Sequence, residues 1–262
     1  MLSPKQIAAR DGKLTASRVA CLMTGDETKI MDLWREMTGD PTWKPEDLSD
    51  VWAVQLGSCT EELNLDWFER KHGPISRRGD VVVHPGLAWA AATLDGWSVD
   101  NECPIECKHV GGRESRETVI ARYQPQLHWQ MIVTGSAHCA ISIIEGANEP
   151  VVDFVDYDAN YGGELLARAN AFMECVRSLT PPIALAPVAP PVVPVKTYDF
   201  TGNNLWASDA VTWITTRQAA KDNAAAEKAL KGQVPADAVV CHGHGVQIKR
   251  NRAGSLSLRE LA

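Results

Sequence analysis

The chain has 262 residues, a formal net charge of −7 and 45% hydrophobic residues, a length that suits one sizeable domain plus an appendage and is ample for a real core. The charge is uneven: residues 196–262 hold nine Lys/Arg against six Asp/Glu, and residues 1–195 hold 17 against 27, which fits either a protein that avoids phosphate backbones or one with a carboxylate-lined metal site beside a local basic groove. Seven cysteines without a CxxC pair exclude a zinc ribbon or clustered iron–sulfur site, and the absence of a leader or of 18 consecutive apolar residues predicts a soluble, cytosolic protein with no membrane partner.

Residues 1–40 are helical in pieces, with Thr15 or Ser17 capping a helix that begins near Arg18. The free N–H groups of that helix start, with Arg10 just upstream, either hold a phosphate or are an ordinary cap beside a surface arginine. A loop over 39–49 leads to a long helix over 51–72, stopped by Gly73-Pro74. Glu62, Asp66, Glu69 and Arg70 form its polar face. Glu61 shares a stripe with Leu65 and Phe68 and is expected to point inward, where a carboxylate needs a metal, its bound water or an arginine as partner.

Strands follow over 80–84, 88–94 and 104–109, with Pro85-Gly86 as the first turn. Asp95 closes the second strand. In the third, Glu106 and Lys108 point to one face and Ile105 and Cys107 to the other. Asp95, Glu106 and the carbonyl of Cys107 are three hard oxygen ligands of the kind Mg²⁺ takes, although by itself this spacing also suits a charged surface strand. A charged loop starts at Gly111-Gly112 and leads to a helix over 120–133 that carries Tyr123, Gln124, Gln126, His128 and Gln130. Pro125 is expected in its first turn or at a kink. Its amides either meet solvent, or Tyr123 and Gln126 face the carboxylate strands.

Strands over 139–144 and 151–157 and a helix over 163–179 complete this part. Residues 181–195 hold six prolines and predict a stiff, extended connector. Beyond it, a helix over 203–231 carries Leu205, Trp206, Val211, Trp213 and Ile214, more apolar surface than a free helix tolerates. A hairpin over 239–258 presents Lys249, Arg250 and Arg252, and His242 and His244 lack a third ligand nearby.

In order, R-D-G-K-L-T-A-S (10–17), L-G-S-C-T-E-E (56–62), T-L-D-G (93–96), I-E-C-K (105–108) and Y-Q-P-Q-L-H-W-Q-M (123–131) resemble the motifs of the phage lambda exonuclease, or YqaJ-like viral recombinase, family within the PD-(D/E)XK nucleases. The resemblance covers residues 10–180. It implies an α/β (α+β) fold with a restriction-endonuclease-like core, a central mixed β-sheet flanked by helices, and a C-terminal helical and hairpin extension. The expected domains are 1–180 (nuclease), 181–195 (linker) and 196–262 (extension).

The resemblance further implies a Mg²⁺-dependent enzyme, with one or two ions per site and Mn²⁺ able to substitute. Asp95, Glu106 and the Cys107 carbonyl would ligate metal, and Glu61 would act there directly or through water. Lys108 would orient or deprotonate the attacking water, acting as a base if its pKa is lowered, and Gln126 and Tyr123 would complete the site. Arg10 and Ser17 would bind a 5′-terminal phosphate. The implied activity is 5′-to-3′ digestion of one strand of double-stranded DNA from its ends, leaving 3′ overhangs for recombination. Its partners would be a single-strand annealing protein and two further copies in a homotrimer, in the cytoplasm of a bacterial host of a phage or prophage. Two other readings stand beside it: a structure- or sequence-specific endonuclease on the same fold, and a binding module without catalysis. Residues 196–262, including Lys249, Arg250 and Arg252, have no counterpart in the lambda enzyme and are open to a DNA, subunit or partner contact. Alanine at Asp95 or Glu106 is expected to abolish cleavage without disturbing the fold.

Overall fold

The computed structural model describes residues 4–77, 81–192 and 198–261, so Asp80 and the end of the proline-rich stretch lie outside the described residues. The chain forms two compact units, Met1–Pro194 and Val195–Ala262. The first opens with three helices, α1 (Pro4–Ala9), α2 (Ala16–Thr24) and α3 (Glu27–Thr38), and the long α4 (Trp52–His72). Asp26 caps α3 through the Lys29 N–H, and Gly25 and Gly39 end α2 and α3 in the left-handed region.

Short β1 (Ile75–Ser76), the pair β2 (Val81–His84) and β3 (Leu87–Thr93), then β4 (Gly96–Ser98) and β5 (Cys103–Val110) follow. After them come α5 (Arg116–Thr134), β6 (His138–Glu145), β7 (Val151–Asp156) and α6 (Ala159–Arg177). The main sheet runs β1-β4-β5-β6-β7 and β2-β3 stand apart as a two-stranded ribbon. β5 and β6 are parallel, with Glu106 opposite Ile141 and Lys108 opposite Ile143, and the other pairs are antiparallel. The sheet is therefore mixed and carries helices, as the motifs predict. The expected 88–94 strand is β3, which pairs with β2; a further short strand not expected from the sequence, β4, follows Asp95 and pairs with β5, so Asp95 sits at the break between the two sheets.

Core residues Leu14, Val19, Met23, Trp129, Leu165 and Phe172 join α2, α5 and α6 to the ribbon, while Leu65, Phe68, Ile105 and Ala140 seal α4 against the main sheet. Helix α5 begins at Arg116, earlier than expected, because Ser115 caps the Thr118 N–H. Pro125 accordingly lies deep inside α5 rather than in its first turn. The helix is buried on most of its circumference, including Gln124, Pro125, Leu127, His128, Trp129, Gln130 and Met131, and this packing offsets the backbone bond that proline cannot make.

His128 ties α5 to α6. Its Nδ1–H donates to the Gln124 carbonyl and its Nε2 accepts the Asp158 N–H, each at 3.0 Å, so the ring must be neutral. Burial lowers its pKa against smaller opposing pulls from the Gln124 carbonyl and Asp158. A folded pKa below the unfolded value of about 6.5 gives a contribution that is complete above that pH and lost as the pH falls. Urea unfolding near neutrality and at mildly acidic pH is expected to show a smaller acid loss for His128→Gln than for the wild type, and equal losses would refute the role.

The proline-rich residues 181–192 adopt neither helix nor strand. The Val188 N–H donates to the Met23 carbonyl at 2.9 Å, and Ala184 and Val188 pack on the core, so this part of the expected connector is seated on the first unit. In the second unit, α7 (Asn204–Gly232) is capped by Asn203 at the Trp206 N–H. None of its residues is buried within the unit, and Leu205, Trp206, Val211, Trp213 and Ile214 are all exposed there. The expected hairpin is a three-stranded meander of β8 (Val240–Gly243), β9 (Val246–Arg250) and β10 (Leu256–Glu260).

Candidate active site

The carboxylates converge because three elements meet at the Asp95 break. Gly96 lets α4 approach: a Cβ there would stand 2.9 Å from Leu65 Cδ2, and Leu65 is one turn from Glu61. Asp95 is fixed from the other side by the Cys107 N–H, which donates to its Oδ2 at 2.8 Å. Glu106 is 2% exposed and meets three donors. Gln126 Nε2 and Lys108 Nζ reach its Oε1, and Gln130 Nε2 reaches its Oε2. Lys108 Nζ also lies 4.7 Å from the centroid of the Tyr123 ring, a cation–π contact. Of the two options for the amide helix, the inward one holds: Gln126 faces the strands, with Tyr123 beside Lys108.

Electrostatics tie the three carboxylates together. The Asp95 carboxyl is raised well above its ordinary value, first by burial and then by Glu106 and Glu61. Glu61 is raised as well, first by partial desolvation and then by Glu106. Glu61, expected to point inward, is electrostatically linked to Glu106 and Asp95 but stands at the rim of the site. Leu65 and Phe68 are buried, but Glu61, a turn further along the stripe, runs beyond the core and is exposed. The lowered Lys108 pKa was expected beside bound cations, and in the metal-free protein a different balance holds. Burial does lower it, but the Glu106 charge, the hydrogen bond to Glu106 and the Asp95 charge outweigh that, and the net direction is upward.

Three carboxylates around a single ammonium are an excess of negative charge on hard oxygen donors, a set that fits a divalent cation such as Mg²⁺. Among the described residues no three Asp, Glu, His or Cys side chains already form a ligating cluster; Glu106 meets its amide and ammonium donors and Asp95 the Cys107 N–H.

A second constellation lies at the start of α2. Arg10 Nη2 donates to Thr15 Oγ1 at 3.0 Å and to Ser17 Oγ at 3.2 Å. Thr15 is the N-cap by position, yet its hydroxyl makes no capping bond. Burial and then Arg18 lower the Arg10 pKa, opposed by Glu36, so two guanidinium groups crowd a helix start that favours anions.

A family model for the YqaJ-like viral recombinase domain matches residues 7–137. The chain belongs to the YqaJ-like viral recombinase family. The matched span includes both constellations. No curated protein matches the sequence. Among solved structures, the alkaline exonuclease LHK-Exo from Laribacter hongkongensis is similar at TM-score 0.54 and 23% identity, covering 68% of this chain and 94% of that one. The complex of LHK-Exo with dAMP gives TM-score 0.55 at 23% identity, with coverage of 68% and 94%. A phage-related exonuclease from Haemophilus somnus 129PT gives TM-score 0.50 at 10% identity, covering 64% of this chain and 94% of that one. At these identities the likeness speaks for the fold.

Beyond the expected residues of this YqaJ-like site, the structure brings Gln130 to Glu106 and Thr15 to Arg10. Gln130 lies four residues after Gln126 and therefore on the same helix face. Buried Asn64 donates to the Ser142 carbonyl at 2.9 Å and accepts from the Ser142 hydroxyl at 2.6 Å, bolting α4 to β6. In the second unit Arg250 donates to the carbonyls of Pro235, Ala238 and Gly254, which occupies it within the meander. Lys249 and Arg252 are exposed.

Proposed function

We propose that this chain is a Mg²⁺-dependent exonuclease that digests one strand of double-stranded DNA from its 5′ end, leaving a 3′ single-strand overhang for recombination by strand annealing. The convergence of Asp95, Glu106 and Glu61 beside Lys108 carries this reading, and membership of a viral recombinase family supports it. Asp95, Glu106 and the Cys107 carbonyl, with Glu61 directly or through water, would hold one or two Mg²⁺ ions, or Mn²⁺ in their place. The bound metal supplies Lewis-acid polarisation of the phosphate and acidifies a water.

The chain's own groups do the rest. Lys108, held protonated beside Glu106, orients the attacking water and offers positive charge to the phosphate as its charge grows. Gln126 keeps Glu106 in place, and Tyr123 packs against the Lys108 ammonium. Arg10 and Ser17, with Thr15, receive the 5′-phosphate at the start of α2 and set the position of the first scissile bond. In this reading residues 1–180 are the nuclease domain, 181–195 link it to the extension, and 196–262 are that extension. The enzyme works as a homotrimer with an annealing protein in the host cytoplasm, encoded by a phage or prophage. Among the described residues, no helix is long and apolar enough to cross a membrane.

The direct test is digestion of linear duplex DNA with Mg²⁺, one 5′ end phosphorylated and the other not, beside a covalently closed circle. The strand with the 5′-phosphate should disappear while the circle survives. Nicking of the circle would point to an endonuclease, and no cleavage with Mg²⁺ or Mn²⁺ would leave a binding module.

A further inference from the structure

Gln126 and Gln130 hold Glu106 from different depths. Gln126 is half-buried and shares Oε1 with Lys108, whereas Gln130 is fully buried and takes Oε2 alone. The two ends of a glutamine amide are nearly the same shape, so a neighbour must hold Gln130 with its nitrogen towards the carboxylate. Cys139 on β6 does so. Its sulfur lies 3.3 Å from Gln130 Oε1, closer than to the Pro104 carbonyl at 3.5 Å or the Ala140 carbonyl at 3.7 Å, and its single proton goes to the nearest acceptor. The thiol is buried. Burial first, and then the Glu106 charge, push its ionisation far up, so it remains a donor.

We propose that Gln130 and Cys139 are positioning residues: the Cys139 thiol orients the Gln130 amide, which holds Glu106 Oε2 from behind and so fixes the rotamer in which the carboxylate meets a divalent cation. The proposal deepens the nuclease reading and rests on it. Its physical basis is that a group behind a metal ligand fixes the ligand's rotamer. Without Gln130 the carboxylate turns about its last bond and follows Lys108 and Gln126 alone.

The test is calorimetric titration of the metal-free, full-length protein with Mn²⁺, without DNA. Gln130→Met keeps the bulk and removes the amide, and is expected to weaken Mn²⁺ binding by about 10–100-fold, the usual range for groups behind a ligand. Cys139→Ser retains a donor and should bind Mn²⁺ like the wild type, whereas Cys139→Ala should shift towards Gln130→Met. Urea unfolding monitors the fold of each variant. If Gln130→Met does not fold, the Cys139→Ser and Cys139→Ala pair decides. Wild-type affinity in Gln130→Met, or equal affinities in the two Cys139 variants, would overturn the proposal while leaving the nuclease reading intact. A wild-type protein that binds no Mn²⁺ would overturn both.

Discussion

Replacing Glu106 by glutamine is expected to lower cleavage by on the order of 10²–10³-fold or more, the scale at which loss of one charge-stabilising group is felt at a reacting phosphate. The same change should also cost stability. Glu106 accepts from Gln126, Gln130 and Lys108 at once, and an amide at position 106 turns N–H groups towards at least one of those donors. A buried donor left unpaired costs about 1–3 kcal/mol. Alanine should cost more, because Lys108 is only 22% exposed and would lose its counter-charge. The expectation that alanine at Glu106 leaves the fold undisturbed is thereby revised.

Asp95→Asn provides the contrast. The asparagine oxygen can still accept the Cys107 N–H, and the neutral side chain relieves repulsion from Glu106 and Glu61. It should lose cleavage to a similar extent while unfolding at a urea midpoint close to that of the wild type. Paired nuclease and urea measurements on the two variants check both halves. A fully active Glu106→Gln protein would remove Glu106 from the site, and one of unchanged stability would contradict the three-donor network.

Arg10→Ala should act differently. It is expected to reduce kcat/KM on 5′-phosphorylated ends by about 10–100-fold, since a hydrogen bond to a charged group contributes about 1.5–3 kcal/mol. Ends with a 5′-hydroxyl should be little affected. Two features support this selectivity. Arg10 is aimed at Thr15 and Ser17 at the start of α2, and Arg18 is drawn to Glu36 and the Lys13 carbonyl, so an arriving phosphate meets Arg10 first. Competition kinetics with the two kinds of end measure the effect. Equal losses on both would show that Arg10 supports the fold of the N-terminal helices and does not read the phosphate.

Much of this was legible in the residues themselves. Strand alternation paired Glu106 with Lys108, the Thr-Leu-Asp-Gly segment marked Asp95, and glycines and caps marked most helix ends. Each signal is local, because a period of 2.0 or 3.6 residues is written along the chain. Glu61 shows where a local signal stops short. Its stripe is real, but periodicity does not say where along a helix the core stops, and α4 runs beyond it. Pro125 shows the converse. Propensity places it at a helix end, and burial of nearly the whole circumference of α5 keeps it inside.

The sequence alone therefore carried the family, through five motifs in order that resemble it, and with that resemblance the mixed sheet, its helices and the candidate carboxylates. Tertiary structure alone decided that Asp95 lies at a break between two sheets, that Gln130 backs Glu106 from 24 residues away, and that Lys108 pairs with Glu106 and packs on Tyr123. Those outcomes depend on which surfaces dock. Hydrogen-bond partners and net fields are sums over neighbours that the chain brings together only on folding.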